Sequence, residues 1–75
     1  MGHGEWTLAE VAQVAARHQS FLNEGGGRHN WRFIKAGRAN YPVPAHNGRR
    51  SVIAWVYIKG LCRNHDIPLD EFKRG

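Results

Sequence analysis

The chain predicts an α+β fold, and three observations predict it. Apolar residues near the N-terminus recur at helical spacing. A central stretch alternates them at strand spacing. An apolar run near the C-terminus is too long for a typical strand. Seventy-five residues make one domain at most, so residues 1–75 are read as a single unit, with residues 1–6 expected to be disordered. A chain this short buries about 60% of its unfolded surface, which leaves a small core.

The first element is "TLAEVAQVAARHQSFL". Thr7 and Glu10 stand at capping-box spacing, the hydroxyl accepting from one amide while the carboxylate reaches back to another. Leu8, Val11, Ala12, Ala15 and Leu22 follow a helix face, and the segment has no Gly or Pro. We expect a helix from about Leu8 to His18. "FLNE" is either its last turn or a short, poor strand.

"NWRFIKAGRANYPVPAH" reads as a hairpin. Trp31, Phe33 and Lys35 fall on one face, Arg32 and Ile34 on the other. Gly37 supplies the turn, since glycine tolerates positive φ. Pro42 and Pro44 cannot donate to a ladder, which makes the returning strand an edge or a short one. Asn47-Gly48 signals a further turn.

"SVIAWVYIKGLCRNHDI" has strand-like composition, but its length favours a helix. Ser51 is the expected N-cap, and Val52, Val56 and Leu61 share a side with Ile53 and Gly60. Pro68 suits the start of a short final turn over "IPLDEF". The order is therefore helix, one to three strands, helix.

Eleven Lys and Arg oppose six Asp and Glu, and their placement is uneven. No acidic residue lies between Glu24 and Asp66. That span carries Arg28, Arg32, Lys35, Arg38, Arg49, Arg50, Lys59 and Arg63, with Trp31, Phe33, Tyr41, Trp55 and Tyr57 interleaved. A one-sign stretch with aromatics suits a polyanion, most simply nucleic acid. No apolar run approaches the roughly 20 residues of a membrane span, so no membrane association is expected. Cys62 as the one cysteine, with no signal-like start, fits a reducing cytoplasm.

Several chemistries lack their residues. A zinc site needs about four Cys or His ligands at set spacings, and none is present. "GGGRHNW" lacks the ending of a phosphate-binding P-loop. Cys62 sits in an apolar run, where a buried thiol is the plainer reading than a nucleophile. We expect no metal and no cofactor.

The histidines divide by position. His18 and His65 read as helix residues, His65 as a cation suited to a helix C-terminus. His29 and His46 flank the hairpin among cations. RNA carries its own nucleophile, the 2′-hydroxyl, and a histidine can take its proton while cations stabilise the charged phosphorane. His29 beside Arg28 supplies both, with Arg32 near on the same strand. The glycines before them admit a phosphate backbone closely.

"GRHNWRF", "YPVPAHNGRRSV" and "IKGLCRNHDIPLDEF" resemble the HicA toxins of type II toxin–antitoxin systems, over residues 7 to 72 and in the family's order. The family has a Gly-Ser-His signature before a strand; here Arg28 takes the place of the serine and Asn30 follows the histidine. The resemblance implies a fold like a double-stranded-RNA-binding domain, α-β-β-β-α, an antiparallel sheet with both helices on one face and its first strand in "FLNEGGG". It implies a metal-independent endoribonuclease that cleaves mRNA, with a HicB-like antitoxin covering the site. The signature histidine corresponds to His29 and the strand-end histidine to His46, which would assist. Arg28, Arg32, Lys35, Arg38, Arg49 and Arg50 are the expected phosphate-binding residues. Two other readings use the same basic middle: a non-catalytic RNA- or DNA-binding module, and an interaction protein whose basic face docks an acidic partner.

Overall fold

A computed structural model describes residues 5–24 and 31–73. Its elements run α1 (Leu8–Ala16), β1 (Phe21–Asn23), β2 (Arg32–Ile34), β3 (Tyr41–Pro42) and α2 (Trp55–His65), with 3-10 turns at Gly48–Arg50 and Leu69–Phe72. The order is α-β-β-β-α, an α+β fold with one antiparallel sheet in the order β1-β2-β3.

The expected capping box starts α1. The Glu10 amide donates to Thr7 Oγ1 at 3.3 Å, and the Thr7 amide donates to Glu10 Oε1 at 3.0 Å. The helix stops two residues short of His18. Gln19 takes a left-handed φ of 67°, while the Ser20 amide bonds to Ala15 O and the Gln19 amide to Ala16 O. That is a Schellman turn built without glycine. It frees "FLN" to form β1, the strand whose formation the composition left open.

One register row runs across the sheet. Leu22 and Tyr41 both stand opposite Phe33. Phe33 is fully buried, and Leu22 and Tyr41 pack against the core around it. The alternate row holds Phe21, Asn23, Arg32, Ile34 and Pro42, all exposed or half-buried. The core therefore lies on one face of the sheet, where Leu8, Val11, Val14 and Ala15 of α1 meet Ile58, Leu61 and Cys62 of α2. β3 is the edge strand, where Pro42 costs the ladder no bond: the Val43 amide still donates to the Trp31 carbonyl at 3.1 Å.

Two expectations need correction. Ser51 does not cap α2. Its carbonyl accepts from the Leu8 amide at 2.8 Å, and the Ile53 amide donates to the Trp6 carbonyl at 2.8 Å. Thr7 and Val52 form an isolated antiparallel bridge. This pairing keeps residues 51–53 extended, so the helix begins at Trp55 with Ala54 as its cap. The apolar face shifts with it. Ile53 and Leu61 of the expected face are buried, but Val52 and Val56 are 58% and 69% exposed, and Ile58, Cys62 and His65 are buried in their place.

The second correction concerns the N-terminal segment set outside the fold. Residues 1–4 lie outside the described residues, but Trp6 is buried in the core. Its indole Nε1 donates to the Phe72 carbonyl at 2.9 Å, and its ring meets Phe72 edge-on with centroids 5.1 Å apart. One tryptophan thus ties the start of the chain to its last turn.

Candidate nucleic-acid interface

The stretch from Gly25 to Asn30, with the expected residues Arg28 and His29, lies outside the described residues. Its two flanks are described, and both reach the same place. At the end of β1, Glu24 Oε2 pairs with Arg49, at 2.9 Å from Nη2 and 3.0 Å from Nε. At the start of β2, the Trp31 ring packs over Gly48, where an added Cβ would meet the ring at 3.9 Å. The chain on either side of His29 is therefore held against the 3-10 turn that carries Arg49 and Arg50.

The local sequence explains that turn. Gly48 has a φ of +62°, a conformation that favours glycine. The Asn47 amide donates to Ser51 Oγ at 2.9 Å, and the Ser51 amide donates back to Gly48 O. Buried Ser51 thus closes the turn. His46, Asn47, Arg49 and Arg50 are all exposed around it. Arg32, half-buried at the same end of β2, pairs across the sheet with Asn23 and Pro42.

The other two expected phosphate ligands are elsewhere. Lys35 Nζ donates to the His65 carbonyl. Arg38 Nη1 donates to the Asn64 carbonyl at 3.1 Å, and its Nη2 pairs with Asp66. Both cations close the C-terminus of α2, where the helix dipole favours positive charge. Lys35 follows directly on β2, three residues from Arg32, about 10 Å at roughly 3.3 Å per residue. The five described cations of the expected six thus split into Arg32, Arg49 and Arg50 beside the flanks of the glycine stretch and Lys35 and Arg38 at the far end of the hairpin.

His65 lies inside the fold at the end of α2. It is fully buried, with Nδ1 2.7 Å from Ser20 Oγ and Nε2 2.8 Å from the Ala39 carbonyl. Cys62 is buried too, and desolvation raises its thiol from 9.0 to about 11. A thiol held protonated at neutral pH is a poor nucleophile. Among the described residues, no three His, Cys, Asp or Glu side chains converge, and no helix is long and apolar enough to cross a membrane.

Glu24 is the residue of this region that the sequence did not single out. Its role depends on Arg49, which lies 25 positions further along the chain. A basic residue that far away leaves no local signal at Glu24. Comparison of the chain with protein-family models, with curated proteins and with solved structures returns no match.

Proposed function

We propose that this protein is a metal-independent endoribonuclease of the HicA toxin type that cleaves mRNA at His29. One observation supports this reading above the others. Glu24–Arg49 and Trp31–Gly48 bring both flanks of the His29 segment to an exposed turn bearing His46, Arg49 and Arg50. The α-β-β-β-α order is also the order that the resemblance implies.

In this reading Arg32, Arg49 and Arg50 hold phosphates of the RNA backbone, with Arg28 beside the scissile one. His29 takes the proton of the 2′-hydroxyl. The 2′-oxygen bonds to phosphorus and the bond to the 5′-oxygen breaks, leaving a 2′,3′-cyclic phosphate. A protonated group, for which His46 is the candidate, delivers a proton to the departing 5′-oxygen. Cations around the phosphorane stabilise the charge that develops in the transition state. A HicB-like antitoxin covering this surface would silence the enzyme.

The test is cleavage of RNA in EDTA by the wild type and by His29→Ala. The proposal expects products ending in 2′,3′-cyclic phosphate from the wild type, and none from the variant. Equal cutting by His29→Ala would sink the assignment. Salt-dependent RNA binding with no product would instead make this surface that of a non-catalytic binding module.

A further inference from the structure

A second surface lies on α2, and it does not depend on the nuclease reading. Lys59, Cys62 and Arg63 of α2 and Ile67 and Leu69 beyond it line a groove of about 270 Å³. Its floor is aliphatic and thiol: Cys62 and Ile67 are buried and Leu69 is half-buried. Its rim carries the two exposed cations, Lys59 and Arg63. Val56 continues the same helix face one turn earlier and is 69% exposed.

The rim cations have no acidic partner among the described residues. The acids of the second half and the loop base are already engaged: Glu24 with Arg49, Asp66 with Arg38, Asp70 with Lys73, and Glu71 with Arg17 and His18. Among the described residues, no carboxylate lies within ion-pair distance of Lys59 or Arg63. Their charge is therefore available to something outside the molecule.

We propose that this groove docks an acidic peptide segment of a protein partner, its aliphatic side chains on Ile67 and Leu69 and its carboxylates on Lys59 and Arg63. Three features select that occupant. Small-molecule sites typically span about 300–1,000 Å³, and this groove, at about 270 Å³, suits one or two side chains. Single-stranded RNA is held by stacking its bases on aromatic rings, and no ring lines this groove. An apolar floor between two cations matches an amphipathic acidic segment laid along a groove.

The probe is a fluorescein-labelled amphipathic peptide of Glu and Leu, with a Lys-Leu peptide of the same pattern as control. In the 15N NMR spectrum of the full chain, the Glu-Leu peptide should shift the amides of Lys59, Cys62, Arg63, Ile67 and Leu69. The Lys-Leu peptide should not. Lys59→Glu with Arg63→Glu, both exposed, should weaken binding about tenfold or more. Leu69→Gln should weaken it while leaving the charges in place. A salt series on the wild type reads the same charge contribution without any substitution, and affinity should fall as salt rises. Absence of shifts at the groove with millimolar peptide overturns the proposal. So does binding that ignores the double charge reversal, or a groove that responds to single-stranded RNA and not to the peptide. RNA cleavage by the same variants separates this surface from the nuclease reading, because neither result requires the other.

Discussion

Ser20 Oγ and His65 Nδ1 stand 2.7 Å apart, both residues fully buried, and join the end of α1 to the end of α2 across 45 positions of chain. The Ala39 carbonyl can only accept, so in the neutral ring Nε2 carries the hydrogen and Nδ1 accepts from the serine hydroxyl. A buried acceptor that loses its donor costs about 1–3 kcal/mol. Ser20→Ala should therefore lower stability by about that amount. His65→Ala adds a cavity and should cost about 3–5 kcal/mol. Urea denaturation measures both, and a loss below about 0.5 kcal/mol for Ser20→Ala would contradict the hydrogen-bond assignment.

Gly60 is set by Tyr41. A Cβ at position 60 would overlap the Tyr41 hydroxyl oxygen and lie 2.9 Å from its ring carbon Cζ. In an open helix, Gly→Ala gains about 1 kcal/mol. Here Gly60→Ala should destabilise the protein, because the half-buried ring must leave its place over α2. In a Tyr41→Ala background the same change should stabilise by about 1 kcal/mol. The sign change in this double-mutant cycle, read by thermal unfolding, is the expected result.

Trp6 makes the N-terminal segment part of the fold. Trp6→Ala removes a large buried ring, an edge-on contact with Phe72 and a hydrogen bond to its carbonyl. The expected cost is about 3–5 kcal/mol. Calorimetry of a chain beginning at Thr7 should show a similar loss. An unchanged melting temperature would place Trp6 outside the core.

Alkaline pH should weaken the fold through Cys62. Burial raises its pKa from 9.0 to about 11, so the folded state holds the proton more tightly than the unfolded chain. The stabilisation is fully present below about pH 9 and is lost as pH rises through about 11. Tyr41, raised mainly by burial, acts in the same direction. Cys62→Ala should flatten part of the fall in stability over that window, as followed by urea denaturation at a series of pH values.

The two groups of cations should separate in RNA binding. Arg50 is exposed on the turn beside the His29 segment, whereas Arg38 is engaged by Asn64 and Asp66. Arg50→Ala should reduce the slope of log affinity against log salt by about 0.7–0.9. Arg38→Ala should leave the slope unchanged. Equal effects from both would mean that the RNA extends along the whole hairpin.

The sequence by itself determined the elements whose signals are local. Thr7 and Glu10 announced the start of α1, Gly37 the hairpin turn, and Pro42 the edge position of β3. The acid-free span named the cations but not how the fold divides them. Tertiary structure decided what depends on residues far apart. Whether "FLN" is helix or strand rests on a left-handed Gln19 and on pairing with β2. Whether 51–53 is helical rests on pairing with Trp6 and Leu8. His65 read only as a residue suited to a helix C-terminus because helix position alone says nothing of Ser20 and Ala39, which enclose it. The same limit applies to the interface. Charge and motif named the cations, but only the folded chain places Arg49 and Arg50 on the turn beside the glycine stretch and Lys35 and Arg38 at the C-terminus of α2, because which surface a side chain joins depends on distance in space.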